Sequence, residues 1–362
     1  MTGSKNGHRS ALAVESPCRP AKASVCLIRL SALGDVCHCV ALVRAVQAAV
    51  PECRLTWIVG KNEFRLVRDL PGIEFIVFDK RAGIKAFRDV RSRLAGRRFD
   101  ALLHAQVSVR ANLLALLVGA RRRIGFDRTR SREGHGLVVN ERIAAHPRQH
   151  QALALLEFAL ALGANTEGID RAPPVDQADR EFARRHQPEA GRAVLISPCS
   201  SHAARNWSAQ RYAAVADWIV ARRDRPVILM GGPSSTEQRM AAEIQGLMDH
   251  DVRNLVGRDT LGQSLAMLER AACLIAPDSG PVHFADALGT PVVGLYASTW
   301  SRRSGPLESQ AQCVDRFPEA CRMFLRRDPE QVRWGKRIEV PGVMDLIEVD
   351  DVIARLDALL AN

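Results

Sequence analysis

One pattern is written twice in this chain and leaves it little freedom of fold: a short apolar run, a polar turn, a helix, and another short apolar run. Ser24–Leu30 (SVCLIRL) reads as a buried strand, and Ser31-Ala32-Leu33-Gly34-Asp35 as the turn after it. Val36, Cys39, Val40, Val43, Val46 and Val50 then fall at helical spacing until Pro51 ends the helix. Strands at Leu55–Val59, Phe75–Phe78, Ala101–His104 and Arg123–Gly125 alternate with helices at Asn62–Arg68, Ile84–Leu94 and Arg110–Val118. Such alternation predicts parallel sheets covered by helices on both faces, because parallel strands need long crossover connections. Residues 126–147 break the pattern as a long basic loop, followed by an amphipathic helix over Arg148–Gly163. The grammar restarts with a strand at Ala193–Ser197, a helix at Ser208–Arg222, a strand at Pro226–Met230 and a helix at Glu237–Met248. A short strand at Asn254–Val256 and a helix at Leu261–Ala271 follow. The expectation is α/β, with two doubly wound, Rossmann-like domains facing across a cleft. They cover 23–170 and 191–345, joined by a linker over 171–190, with a loose tail over 1–22 and a terminal helix within 346–362.

Bulk chemistry narrows the partner. Of 362 residues, 47% are hydrophobic and 25% charged, a globular composition with enough chain for two cores. The net charge of +11 points to an acidic partner: nucleic acid, anionic lipid or a phosphorylated small molecule. Aromatics are only 5% and no basic run is interleaved with them, which argues against a nucleic-acid stacking platform. Nine irregularly spaced cysteines read as reduced thiols in a cytoplasmic protein. Cys37-His38-Cys39 falls on a helix, where three consecutive side chains point apart, so no metal site is expected. The most apolar stretch, Ala101–Ala120, carries His104, Gln106 and Arg110 and is no membrane span, although a basic face can still rest on an anionic bilayer.

Chemistry concentrates in the turns that follow strands, the edge where doubly wound sheets bind ligands. Ala271–Tyr296 (AACLIAPDSGPVHFADALGTPVVGLY) is a strand–turn–helix–strand unit in which Ser279 or Gly280 caps the helix and Pro281 suits its first turn. Pro277–Pro281 reads either as a tight turn with a cap or as a site for phosphate, which the free N–H groups and positive dipole end of such a helix start would bind and to which Gly280 admits a close approach. Asp278 precedes the helix, and His283 lies one turn in, as a phosphate donor or a structural histidine. Asp35 reads equally as a general base facing the cleft or as a cap of its helix. Ser200, Ser201 and Arg205 can hold diphosphate oxygens, and Glu237, after Gly231-Gly232-Pro233, can reach a ribose hydroxyl. The first turn has one glycine and no G-x-G-x-x-G, and no Walker-type loop occurs, which argues against nicotinamide, flavin and P-loop chemistry.

RLSALGDVCHCV, ISPCSSHAARNWSAQRY, LMGGPSSTEQ and APDSGPVHFADALGTPVVGLY resemble the signature blocks of the lipopolysaccharide heptosyltransferases, glycosyltransferase family nine, in that family's order. The resemblance spans roughly Val25 to Ser304, and Asp278–His283 is its most specific block. It implies a GT-B fold, an ADP-heptose donor, no metal or other cofactor, and inverting transfer to an anionic glycolipid of the Kdo-lipid A type. The wording around Gly34-Asp35-Val36 is closer to the enzyme adding the first heptose than to that adding the second. Carried over, Asp35 resembles the catalytic base, and Arg205 stands where the family has a diphosphate-binding lysine. Ser279, Gly280 and His283, with Asp278, match the phosphate-binding segment, and Glu237 the ribose-binding acid. Two departures stand out: arginine for lysine at 205, and Ser235 where many relatives carry another acid. Arg128, Arg130 and Arg132 suit an anionic acceptor. The alternatives are a relative using another nucleotide sugar or acceptor, and a non-catalytic nucleotide-sugar-binding protein.

Overall fold

A computed structural model describes residues 23–361; the tail expected over 1–22 lies outside them. The first lobe runs β1 (Ser24–Ile28), α1 (Leu33–Ala49), β2 (Arg54–Gly60), α2 (Lys61–Val67), β3 (Ile73–Phe78), α3 (Ile84–Leu94), β4 (Phe99–His104), α4 (Val109–Leu117), β5 (Ala120–Gly125), β6 (Glu141–Arg142) and α5 (Gln151–Leu160). α6 (Gln177–His186) leads into the second lobe. That lobe holds β7 (Val194–Ile196), α7 (Ala209–Arg223), β8 (Val227–Leu229), α8 (Ser235–Leu247), β9 (Arg253–Asn254), α9 (Leu261–Arg270) and β10 (Cys273–Pro277). It continues with α10 (Gly280–Ala287), β11 (Val292–Tyr296), α11 (Ser301–Ser304), β12 (Val314–Asp315), α12 (Phe317–Ala320) and α13 (Val349–Leu360).

Each lobe has one six-stranded sheet, ordered β3-β2-β1-β4-β5-β6 and β12-β11-β10-β7-β8-β9, and the strand pairings are parallel. The two windings are the same. In each, the connections diverge at one point, between β1 and β4 or between β7 and β10, and leave a crevice at the carboxyl edge there. The central strands are buried along nearly their whole length, which explains why they read as unbroken apolar runs rather than alternating ones.

Two sequence expectations change. The helix expected over Arg148–Gly163 begins only at Gln151: Arg148 has a φ of +53°, and His150 caps α5 by accepting from the Ala152 N–H at 3.2 Å. The expected basic loop over 126–147 carries a short 3₁₀ turn at His135–Leu137 and the edge strand β6. A two-residue strand is too short to show a periodicity, and the same holds for β12.

The helices divide the first sheet's core in two. Cys26, Ile28, Ile58 and Ile76 pack under α3 and α4 on one face. Leu27, Trp57 and Leu103 pack under α1 on the other, and this second core does not stop at the lobe boundary. It runs through Val36, Val40 and Val43 of α1 to Val282 and Phe284 of α10, Leu265 and Leu268 of α9, and Leu274 of β10. α13 packs into the core of the second lobe against α7. Ala101–Ala120 divides between β4, α4 and the start of β5, and among the described residues no helix is long and apolar enough to cross a membrane.

Candidate active site

The first strand of each lobe ends at its sheet's divergence point, so the turns after β1 and β7 open into the crevices. In the first lobe the Gln106 side chain, just past β4, accepts from the N–H groups of Leu30 (2.6 Å) and Ser31 (3.2 Å) and fixes the β1 turn. Asp35 follows, in the first turn of α1. One of its oxygens is ion-paired with Arg29, and the other accepts from the Gln151 side-chain amide at the start of α5. Arg29 is itself buried and donates to the Ala105 carbonyl at 2.6 Å. Two donors from separate elements therefore hold the direction of the Asp35 carboxylate, whose side chain stays 17% exposed.

The second lobe presents the opposite charge from the equivalent position. Arg205, after β7, pairs across the divergence point with Asp278, after β10, at 3.3 Å, and also donates to the Asp278 carbonyl at 3.4 Å. Burial pulls the Arg205 guanidinium below its ordinary pKa, with Asp278 acting against that shift. Ser279 occupies the N-cap position of α10 but its hydroxyl makes no capping bond. Among the described residues, the buried Ser279 Oγ, His283 Nδ1 and Arg205 Nε have no hydrogen-bond partner. Buried polar atoms rarely stay unpaired without a reason, and here three of them surround one helix start.

The two turns meet. A side-chain carbon placed on Gly34 would sit 2.2 Å from a ring carbon of His283, so Gly34, one residue before Asp35, is the glycine that a close approach demands. The same carbon on Gly280 would find only Phe284, at ordinary contact distance. Cys37 Sγ points at the His283 carbonyl (3.7 Å), and the His38 ring meets that of His283 edge-on at 4.7 Å. His150 completes the seam: its Nδ1 accepts from Ala152, so its Nε2 carries the proton and donates to Gly305 of the second lobe at 3.0 Å. Burial, then the neighbouring histidines, push His38 well below its ordinary pKa, and burial takes His150 to about 4. Farther out, the Arg148 guanidinium lies over both Trp300 (5.5 Å) and Trp334 (5.7 Å), whose rings touch each other, and Arg171 pairs with Asp286 of α10 at 2.7 Å.

The remaining expected residues divide. Ser200 and Ser201 lie on the β7 turn, where the Ser200 N–H donates to Asn206 (2.7 Å) and Ser201 is exposed. Glu237 closes the turn after β8, accepting from the Gly232 N–H (2.8 Å) and the Ser234 hydroxyl (2.5 Å). Arg128 and Arg132 are exposed, whereas Arg130 is tied to Asp127 (2.7 Å) and Gln149 (2.7 Å). The three arginines therefore do not act as one patch. Sequence reading missed Gln151, hidden inside a helix expected to start earlier, and Arg303. The Arg303 guanidinium is half-buried and forms no ion pair among the described residues; burial lowers its pKa, and Asp35 and then Asp278 are the opposing charges that act most against that shift. Gly335, with a φ of +80°, passes over it where a side-chain carbon would sit 2.9 Å from Nε. The signal available was position: Arg303 lies in the short helix α11 that follows the apolar run Val292–Tyr296, past the same sheet edge.

Two facing doubly wound lobes with their carboxyl edges joined at one cleft define the GT-B architecture. Within it, this chain belongs to glycosyltransferase family 9, the heptosyltransferases, whose family model matches residues 87–332. It is 34% identical over 341 residues to the lipopolysaccharide core heptosyltransferase OpsX of Haemophilus influenzae, covering 93% of this chain and 96% of that protein. Among solved structures it resembles a family 9 glycosyltransferase from Veillonella parvula, with a TM-score of 0.75 and 20% identity over 94% of this chain and 97% of that one. It also resembles the E. coli heptosyltransferase WaaC solved with ADP, with a TM-score of 0.67 and 19% identity over 84% and 99% of the two chains. At those identities the two structures speak for the fold.

Proposed function

We propose that this protein is a cytoplasmic, inverting heptosyltransferase that moves a heptose from ADP-heptose onto an anionic inner-core glycolipid of the Kdo-lipid A type. The observation that carries the reading is the Gly34–His283 contact: the residue before the fixed Asp35 carboxylate lies against α10 of the other lobe, whose start holds the unpartnered Ser279 Oγ and His283 Nδ1, and this supports a carboxylate facing a phosphate site. The H. influenzae relative is a lipopolysaccharide core heptosyltransferase, and the WaaC neighbour holds ADP, which supports the donor assignment.

In this mechanism Asp35 takes the proton of the acceptor hydroxyl. Oδ1 keeps a second lone pair beside its bond from Gln151, and Arg29 holds the other oxygen. The hydroxyl oxygen bonds to the anomeric carbon as the bond to the β-phosphate oxygen breaks, and the electron pair leaves with ADP. Charge gathers on the departing diphosphate, where the Gly280 N–H, the Ser279 hydroxyl, His283 and Arg205 stabilise it. Asp278 keeps Arg205 at the phosphate side of the cleft. Ser200 and Ser201 border the diphosphate, and Glu237, fixed by its own turn, serves the ribose. Arg128 and Arg132 attract the anionic acceptor, and Arg130 holds their loop in place.

Calorimetric titration tests the donor. Binding of ADP well ahead of UDP and GDP, followed by transfer from ADP-heptose, is the expected result. Preference for another nucleotide would move the protein to a different donor, and binding without transfer would make it a nucleotide-sugar-binding protein.

A further inference from the structure

The outer layer of the first lobe carries an apolar stripe that nothing among the described residues covers. α4 is apolar nearly all round: Ala111, Leu114 and Ala115 face the sheet, while Val109, Leu113 and Leu116 face solvent at 57%, 49% and 64% exposure. Positions i, i+4 and i+7 share one helical face, so these three form a continuous strip. A helix with apolar residues on both sides is ordinarily buried on both sides. Two neighbours extend the strip. α3 packs beside α4 and exposes Ile84 at 73%. The 133–137 segment is tied to the start of α4 through Glu133, which accepts from the Val109 N–H (2.9 Å) and the Asn112 side chain (2.6 Å), and it exposes Leu137 at 90%. Half of the large hydrophobic residues exposed in the described chain thus lie on this one layer.

The strip is framed by cations. Lys85, Arg88, Arg110 and Arg132 are exposed, and none of them forms an ion pair among the described residues. Asp89 and Glu133 are the opposing acids there, and Glu133 is already engaged with α4. Exposed leucines rimmed by free lysine and arginine match the two-part chemistry of an anionic bilayer, with apolar side chains entering the acyl boundary and cations meeting lipid headgroups. α3 and α4 cover the face of the sheet opposite α1, so the strip points away from the second lobe. α4 also begins just past the carboxyl end of β4, the edge at which the acceptor must arrive.

We propose that the α3–α4 face, with Leu137, docks this protein onto the surface of an anionic lipid bilayer. The partner is lipid rather than a second copy of the chain, because a self-paired face would set Lys85, Arg88 and Arg110 against their own images. The proposal rests on the transferase reading only for the reason a lipid surface is useful; the docking itself does not.

The experiment is co-sedimentation of the full chain with vesicles of phosphatidylcholine alone or mixed with phosphatidylglycerol, for wild type, Leu113→Ser/Leu116→Ser and Lys85→Gln/Arg88→Gln. Wild type is expected to bind the anionic vesicles, more weakly as salt rises, and each double variant to bind on the order of tenfold less tightly. Turnover with a short-chain soluble acceptor stays at the wild-type level in both variants, and turnover with a vesicle-embedded acceptor falls. Equal binding to both vesicle types, or undiminished binding by the serine variant, would overturn the proposal. So would a concentration-dependent dimer, seen by sedimentation velocity, that the serine variant loses. Titration with ADP separates the two ideas: loss of ADP binding sinks the transferase reading and leaves the vesicle result standing.

Discussion

The two lobes share a winding but differ in charge at equivalent points. Where β1 ends, a carboxylate is held by a buried arginine and an amide; where β7 ends, an arginine is held by a carboxylate just past β10. The backbone supplies the same crevice twice, and side chains give one an acid and the other a cation. A reaction that removes a proton at one end and releases an anion at the other needs that difference, and needs the two crevices in contact.

Removing the acid is the strongest way to break this pairing of opposites. Asp35→Asn keeps the shape and loses the base, so kcat is expected to fall about 10²–10⁴-fold, with ADP affinity measured by calorimetry nearly unchanged. Wild-type turnover in that variant would reduce Asp35 to a helix residue. Next comes the contact that joins the lobes. Gly34→Ala sets a methyl group 2.2 Å from a His283 ring carbon, and overpacking of this kind costs about 1–3 kcal/mol, readable as a lower midpoint in denaturant. A fully stable Gly34→Ala protein would mean that the turns are not in contact in solution.

The histidine seam gives a pH-dependent version of the same test. His38 and His150 have folded pKa values below the ordinary 6.5, with His150 at about 4. Above 6.5 they are neutral folded or unfolded and cost nothing. As pH falls from 6.5 towards 4 the unfolded chain gains protons that the folded one refuses, so stability is lost across that window. Denaturation at a series of pH values checks this, and His150→Gln is expected to flatten the slope. The smallest effect belongs to the rim. Arg128→Gln/Arg132→Gln is expected to raise the acceptor KM several-fold at low salt and to leave stability within about 0.5 kcal/mol. An unchanged KM would remove these arginines from acceptor binding.

Both sheets were legible because fully buried parallel strands announce themselves as apolar runs, and the crevice turns because they follow those runs. β6 and β12 were not, since two residues carry no period. Arg148–His150 looked helical because each residue alone is compatible with a helix; the left-handed Arg148 and the His150 cap are decided by contacts with Trp300, Trp334 and Gly305. Gln151 lies 116 positions from Asp35, and nothing local marks such a partner. Gly34 was readable only as a turn glycine, because the ring it accommodates comes from the other lobe.

The greasy seam through α1, α9 and α10 has a consequence for how the molecule comes apart. If either lobe melts first, it strips the cover from aliphatic side chains of its neighbour, so neither has a comfortable solitary existence. Scanning calorimetry is therefore expected to trace one endotherm rather than two, and catalytic motion to bend the pair about this seam without prising it open.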